Sequence, residues 1–226
     1  MKKLLLILLC LPMLTLAQQT YVPDNNFEAY LEANNMGNGT ANDDYVTTAN
    51  INTITVLYAQ GLSISDLTGI EDFISLYHLN CMNNNLINLD LSQNTALAQL
   101  GCSYNQLTGL DLSKNTALDS LDCSENQLTK LDVRNGYNSG IWYFNSMSNP
   151  DLTCINVDNI NYSTNNWIYI DTQHYFSANC SGTTNIKEHT TKKELLKVTD
   201  LLGRETNQTF FYIYNDGTVE KRIVVE

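Results

Sequence analysis

The sequence predicts a mainly β protein in which about five stacked coils form a solenoid, preceded by a short helical cap and followed by a small β domain. Three observations predict this fold. Leucines and cysteines return every 21 residues in the middle of the chain, apolar residues stand two apart within each half of that period, and an asparagine ends each half. A fixed period of this size is typical of stacked units that cannot bury their apolar faces alone.

The composition is that of a folded acidic protein. The 226 residues include 12 basic and 24 acidic side chains, for a formal net charge of −12, and 43% of the residues are hydrophobic. Binding to nucleic acid depends on clustered lysines and arginines that contact phosphates. Nucleic acid is therefore not an expected partner.

Residues 1–17 have the pattern of a secretory signal peptide, with Lys2 and Lys3 before an apolar run that ends at Ala17. The run is shorter than the roughly 20 residues of a transmembrane helix. A retained membrane anchor is the alternative. Cleavage would leave no transmembrane segment and five cysteines, in a compartment that permits disulfides.

Residues 18–50 are predicted to form the N-terminal cap, because the first coil of a solenoid would otherwise expose leucines and unpaired strand edges. Pro23 and Asp24 open a short amphipathic helix that carries Phe27, Tyr30 and Leu31. A turn rich in glycine and asparagine follows it.

Residues 51–150 are predicted to form the coils. In each half of the period, residues two apart point to one side of an extended segment, which predicts two short strands in every coil. Asparagine suits the turn after each strand, since its amide bonds backbone groups that the strand leaves unpaired. In the three regular coils, the inward positions are Leu79, Cys81, Leu100, Cys102, Leu121 and Cys123, and the asparagines are Asn84, Asn105 and Asn126.

This frame resembles the leucine-rich repeats, and more closely their nested 21-residue variety, over about residues 50–150. Stacked coils of this kind would pair their strands in parallel, about 4.8 Å apart. The thiols at one interior position are interpreted as small apolar fillers rather than as a metal site or redox relay.

Residues 151–184 are predicted to form the C-terminal cap, stapled by a disulfide between Cys154 and Cys180, with two free thiols as the alternative.

The tail, residues 185–226, differs in charge from the rest. Residues 18–184 contain 3 basic and 17 acidic residues, whereas the tail contains 7 of each. Alternating segments at 195–200, 210–214 and 219–225 predict three strands, the last two joined by an Asn-Asp-Gly turn.

The tail resembles the C-terminal sorting domain of the type IX secretion system of Bacteroidetes. This resemblance implies that the secretion machinery is a partner and that the protein is secreted or held on the outer cell surface. A small β-hairpin module that merely ends the fold is the alternative. The matching positions include Asp200, Gly203, Arg204, Tyr212, Gly217 and Lys221.

No motif for a catalytic nucleophile, metalloprotease or phosphate loop is present in the sequence, so we expect a protein that is not an enzyme and needs no cofactor. The outward positions of the first half-repeats predict a recognition face for another protein or a glycan, with an ordinary solvated sheet as the alternative. These positions are Tyr58, His78, Asn80, Gln99, Ser103, Ser120, Asp122, Tyr143 and Asn145.

An acidic ladder is predicted on the second half-repeats, where Asp90, Asp111 and Asp132 occupy equivalent outward positions. Like charges on neighbouring strands are unfavourable. Bridging calcium would compensate for them, which makes these residues weak candidates for a cation site. A solvated acidic surface is the alternative that we favour. The function predicted overall is binding, with a calcium-binding accessory to an extracellular enzyme system and a structural surface spacer as alternatives.

Overall fold

The computed structural model describes residues 17–180 and, in the tail, the backbone of three strands at 195–199, 211–214 and 219–221. The chain divides into two compact units, Met1–Cys180 and Ser181–Glu226, and each is described by itself. The predicted signal peptide, apart from Ala17, lies outside the described residues. Across the described part of the chain, no helix has the length and apolar character needed to cross a membrane.

One parallel sheet, the first sheet, takes one strand from each coil, which confirms the predicted stack of about five coils. The central residue of each strand is in register with the next and is buried. A bridge from Asn145 to Tyr169 begins a further rung. The strands are β3 (Val56–Tyr58), β4 (His78–Asn80), β5 (Gln99–Gly101), β7 (Ser120–Asp122) and β9 (Tyr143–Asn145).

The second sheet is also parallel and has four strands in the order β11, β10, β8, β6. Strands β10 and β11 come from the segment predicted as the C-terminal cap, so this segment also prolongs the solenoid. The strands are β6 (Gly109–Asp111), β8 (Lys130–Asp132), β10 (Cys154–Asn156) and β11 (Tyr175–Ser177).

The prediction of two strands in every coil is wrong for the coil that contains Leu89 and Leu91. Both leucines are buried, but the described residues 89–91 form no strand. The preceding coil turns into a 3₁₀ helix at Ile70–Asp72 and supplies no strand beside them.

The N-terminal end is covered by helix α1 (Asn25–Ala33), which confirms the predicted helix, and by strands β1 (Gln19–Tyr21) and β2 (Tyr45–Thr47), which pair antiparallel. Helix α2 (Thr48–Ile51) leads into the first coil. The Asp24 carboxylate caps α1, because its Oδ1 accepts hydrogen bonds from the N–H groups of Asn26 and Phe27.

The other oxygen of Asp24 joins α1 to the first coil. It accepts from the backbone and hydroxyl of Ser65, both at 2.8 Å, and from the N–H of Asp66 at 3.2 Å. Burial opposes ionisation of Asp24, but these hydrogen bonds outweigh it and lower the pKa of the carboxyl group.

The C-terminal end of the solenoid is closed by aromatic side chains and a disulfide. Trp167 follows helix α3 (Ile160–Asn166) and stacks on Phe144, with ring centroids 4.1 Å apart and planes 7° apart. A second 3₁₀ helix lies at Asn138–Gly140. The predicted disulfide between Cys154 and Cys180 is present, and the alternative of two free thiols is wrong.

The interior contains a column of thiols on adjacent rungs. Cys81, Cys102 and Cys123 are free cysteines with no exposed surface. Their backbone N–H groups donate to Gly101, Asp122 and Asn145 of the next rung at 2.8–2.9 Å. Burial raises the pKa of Cys81 to about 12 and also raises the pKa values of Cys102 and Cys123 well above that of an ordinary thiol. The thiols thus remain neutral and fill the interior, as predicted.

Buried asparagines hold successive turns together, which confirms the predicted ladder. In Asn105, Oδ1 accepts from the N–H of Leu86, while Nδ2 donates to the carbonyls of Cys81 and Cys102, each at 3.0 Å. Asn84, Asn126 and Asn149 form corresponding bonds on the other rungs.

The tail contains a three-stranded antiparallel sheet in the order β12 (Leu195–Thr199), β13 (Phe211–Tyr214), β14 (Val219–Lys221). The three predicted strands are therefore confirmed over these ranges. Tyr212 is paired with Val198 and Glu220, and Lys221 with Phe211. The predicted motif residues Asp200, Gly203, Arg204 and Gly217 lie outside the described residues.

Candidate binding face

The register of the first sheet places the predicted face residues in two outward rows. The first row runs through Val56, His78, Gln99, Ser120 and Tyr143. The second row runs through Tyr58, Asn80, Gly101, Asp122 and Asn145. The side chains predicted for the face are exposed or half-buried along both rows. Their role in binding stays a prediction.

Ser103 does not belong to this face. Its exposed fraction is 2%, so the prediction that its side chain points outward is wrong. The reason is local: Ser103 lies beyond the end of β5, where the chain bends into the turn that Asn105 organises, and the alternation of a strand no longer applies.

Three residues of the second row stabilise the ends of their own strands. Oδ1 of Asn80 accepts from the N–H of Met82, and Oδ1 of Asn145 accepts from the N–H of Met147, each at 3.2 Å. Oδ1 of Asp122 accepts from both the N–H and the hydroxyl of Ser124. These oxygens are thus engaged within the turns, which leaves the first row as the freer part of the face.

Aromatic residues that the sequence analysis did not assign to the face are prominent beside it. Backbone hydrogen bonds link Tyr77, Ala98, Asp119 and Trp142 into a third row, immediately before the strands. Trp142 is 69% exposed, and Tyr77 is 46% exposed. The 21-residue frame contained this signal, because Ile141 takes the inward position of Leu76 and therefore places Trp142 at the position of Tyr77.

Trp142, Tyr143 and Tyr169, together with Asp119, form a group that we name the Trp142 cluster. The ring centroids of Trp142 and Tyr143 lie 5.9 Å apart, and those of Tyr143 and Tyr169 lie 6.1 Å apart. The indole Nε1 of Trp142 donates to Oδ1 of Asp119 at 3.3 Å. The cluster stands at the C-terminal end of the first sheet.

Charge is distributed unequally between the two halves of the coils. The three basic residues between 18 and 184, Lys114, Lys130 and Arg134, all belong to the second half-repeats. Within residues 17–180, the first sheet and its third row therefore carry carboxylates at Asp119 and Asp122 but neither lysine nor arginine. This face attracts cations.

The carboxylates of the acidic ladder on the second half-repeats accept hydrogen bonds within their own turns. Asp90, Asp111 and Asp132 each accept a hydrogen bond from the N–H two residues further along, at 2.9–3.0 Å. The bond from Ser92 lowers the pKa of Asp90. Burial opposes ionisation of Asp132, but Arg134, which forms an ion pair with it, lowers its pKa overall. Among the described residues, no group of three or more His, Cys, Asp or Glu side chains converges as metal ligands.

A buried histidine links the last coil to the segment that closes it, which the sequence analysis did not foresee. Nδ1 of His174 accepts from the N–H of Asp171 at 3.2 Å and lies 3.3 Å from the hydroxyl of Ser146. Nε2 lies 3.4 Å from the carbonyl of Asn149 and 3.5 Å from the Asp171 carboxylate. Burial lowers the pKa of His174, which therefore serves as a neutral imidazole protonated at Nε2.

Ser146, His174 and Asp171 have the residue types of a catalytic triad, but their arrangement is structural. Ser146 has no exposed surface and occupies the rung that follows Cys123 in the interior column. The hydroxyl of a catalytic serine must reach a substrate carbonyl. These residues therefore stabilise the last coil and provide no accessible nucleophile.

We expect acid to loosen this end of the solenoid at pH values near 6. The lowered pKa of His174 means that the unfolded chain binds a proton more readily, so stability is lost as pH falls below about 6.5, the usual histidine pKa. Urea unfolding at pH 7.5 and pH 5.0 should show a smaller loss of stability for His174→Gln than for the unmodified protein. His78→Gln, on the exposed sheet face, is the control and should behave like the unmodified protein. Equal pH dependence of all three proteins would contradict this role for His174.

The geometry defines a class: short parallel strands on stacked coils, with a cysteine column inside and, among residues 17–180, one outward face free of basic side chains. No protein-family model matches the chain. Internalin J of Listeria monocytogenes is 40% identical over 75 residues, which are 33% of this chain and 8% of that protein. The chain thus matches a small part of that relative.

A solved structure extends the comparison. The functional domain of InlJ from Listeria monocytogenes, described as including a cysteine ladder, is 35% identical with a TM-score of 0.51. The match covers 62% of this chain and 33% of that chain. The protein therefore has an internalin-like leucine-rich repeat fold, mainly β with parallel sheets, and the predicted leucine-rich repeat is confirmed.

Proposed function

We propose that this protein is a secreted or cell-surface leucine-rich repeat protein that binds another protein or a glycan through the outer face of its first sheet. The observation that carries this proposal is the Trp142 cluster, with its exposed Trp142 and Tyr169 rings, next to a first row of half-buried or exposed side chains. Tryptophan and tyrosine are the residues enriched in binding hot spots. The similarity to the InlJ domain supports the leucine-rich repeat fold. The proposal of binding is based on the residues of the first-sheet face.

The test compares two matched double variants of the full-length protein on extracellular protein and glycan arrays. Gln99→Arg with Ser120→Arg alters the first row, whereas Gln106→Arg with Gln127→Arg adds the same charge at exposed positions in the turns. We expect the first-row variant to lose the partners that the unmodified protein binds, while the turn variant retains them. Equal loss in both variants contradicts the assignment to this face, and silence of the unmodified protein on both arrays favours a surface spacer.

The calcium-binding alternative remains to be tested on the acidic ladder. The carboxylates of Asp90, Asp111 and Asp132 already bond their own turns, and Asp132 pairs with Arg134, which favours a solvated surface. Calorimetric titration of the full-length protein and of Asp111→Ala with calcium separates the two. Heat and thermal stabilisation that disappear in Asp111→Ala would support the cation site.

We further propose that residues 1–17 direct export and that residues 185–226 are a sorting domain read by a type IX secretion machinery. The resemblance of the motif supports this, as does the three-stranded arrangement of the tail. Deletion of residues 185–226 is expected to retain the protein in the periplasm. Normal secretion of the shortened chain would overturn the assignment. Mapping the mature C-terminus in culture fluid and outer membrane distinguishes release from attachment.

A further inference from the structure

We infer that the Trp142 cluster binds a lysine or arginine side chain of a basic polypeptide. The inference rests on the proposed function of the first-sheet face and names the chemistry of its partner. Trp142, Tyr143 and Tyr169 supply the aromatic rings, and Asp119 supplies a carboxylate at the edge of the indole.

Two aromatic rings of the Trp142 cluster are exposed. Trp142 is 69% exposed and Tyr169 is 49% exposed. Trp167, by contrast, packs against Phe144 and is only 3% exposed. At this end of the solenoid, the side chain of Trp167 is therefore buried and that of Trp142 is exposed. An open indole at a sheet end is a surface on which a partner group gains contact area and excludes water.

The indole of Trp142 is also oriented by a neighbour. The hydrogen bond from Nε1 of Trp142 to Asp119 fixes the edge of the indole and holds the carboxylate beside the ring. The neighbouring Tyr143 ring is tilted by 48° relative to the indole, and the Tyr169 ring by 42° relative to Tyr143. The three rings thus form a contiguous aromatic surface with centroids about 6 Å apart from one ring to the next. Aromatic faces attract a cation within about 6 Å of a ring centroid.

The charge around the cluster is complementary to that of a basic partner. The first sheet and its third row contribute Asp122 and Asp119 but no lysine or arginine among residues 17–180, and residues 18–184 as a whole hold 17 acidic against 3 basic residues. The resulting field draws basic partners towards this face and repels acidic ones. A neutral sugar would stack on the same rings and donate hydroxyl hydrogen bonds to Asp119, but it would gain nothing from the net negative field. The basic polypeptide is therefore the better fit.

The test measures binding of hexalysine and hexaarginine peptides to the full-length protein by titration calorimetry, with hexaglutamine and a neutral hexasaccharide as the other arms. We expect the basic peptides to bind, and Trp142→Ala to weaken them about five- to tenfold, the size of a cation–π contact. Trp142→Leu should weaken them equally, because it retains apolar area but removes the π face, whereas Trp142→Phe should retain part of the affinity. Asp119→Asn should weaken binding and reduce its salt dependence.

The matched controls are Tyr104→Ala, an exposed aromatic outside the cluster, and Asp151→Asn, an exposed carboxylate outside it. Both should bind the peptides like the unmodified protein. Losses equal to those of Trp142→Ala and Asp119→Asn would show diffuse charge attraction and overturn the inference. Hexasaccharide binding that depends on Trp142 would also overturn it, in favour of a glycan site, while leaving the proposed function standing. Absence of peptide binding overturns it as well, whereas the proposed function fails only on the array comparison.

Discussion

Replacing Asn105 by alanine is expected to lower the free energy of unfolding by about 3 kcal/mol. The side chain bonds the N–H of Leu86 and the carbonyls of Cys81 and Cys102 on two neighbouring rungs. Alanine would leave these backbone groups buried without partners, and each such group costs about 1–3 kcal/mol. Urea unfolding monitored by circular dichroism measures the change.

The matched control is Asn88→Ala, which removes an exposed asparagine from the same region and should change stability by no more than about 0.5 kcal/mol. A loss for Asn105→Ala as small as that of the control would mean that the asparagine ladder does not connect the coils. The account of why asparagine ends each half-repeat would then fail.

The second large effect is expected at the closing end of the solenoid. Joint replacement of Cys154 and Cys180 by alanine should cost about 3.5 kcal/mol, the chain-entropy value for a bridge of this span. The disulfide joins residues 26 apart and ties β10 to the segment after β11, so its loss frees the last rung of the second sheet. Thermal unfolding of the variant measures the loss.

Reduction of the unmodified protein provides an independent measurement of the same bridge. Mild reduction should lower the melting temperature as much as the double replacement does, and it should not affect the double variant further. Cys102→Ala serves as a second control, because it leaves the bridge intact and should respond to reduction like the unmodified protein. A double variant as stable as the unmodified protein would show that aromatic packing of Phe144 and Trp167 alone closes the solenoid.

Most of the repeat architecture was predictable, because each rung buries apolar residues at the same positions of the 21-residue period. Leu79, Leu100 and Leu121 occupy identical surroundings, so the period alone placed them in register. The missing strand at residues 89–91 was not predictable from the period, since Leu89 and Leu91 have the same spacing as Leu110 and Leu112, where β6 does form. Strand β10 follows the same frame, because Leu152, Ile155 and Val157 repeat the spacing of Leu128, Leu131 and Val133, whereas β11 carries no leucines and escaped prediction.

The candidate site was predictable only in outline. Strand alternation correctly placed Gln99 and Ser120 outward, but it failed at Ser103, which lies in a turn. It also gave no indication that the oxygens of Asn80 and Asp122 bond their own turns. The contact between Tyr143 and Tyr169 joins residues from different coils, and no local pattern encodes it. Side-chain chemistry at the ends of strands thus required the three-dimensional structure.

The claim on which the account depends is that leucines and thiols share one dry interior, and differential alkylation tests it most directly. The native full-length protein is treated with iodoacetamide at pH 8, then unfolded and treated with a second, mass-distinguishable reagent, and each cysteine is assigned by peptide mass. Burial raises the pKa of Cys81 to about 12 and removes all three thiols from solvent. Cys81, Cys102 and Cys123 should therefore carry only the second label. Labelling of Cys102 in the native protein, at the rate of an exposed thiol, would contradict the stacked-coil interior.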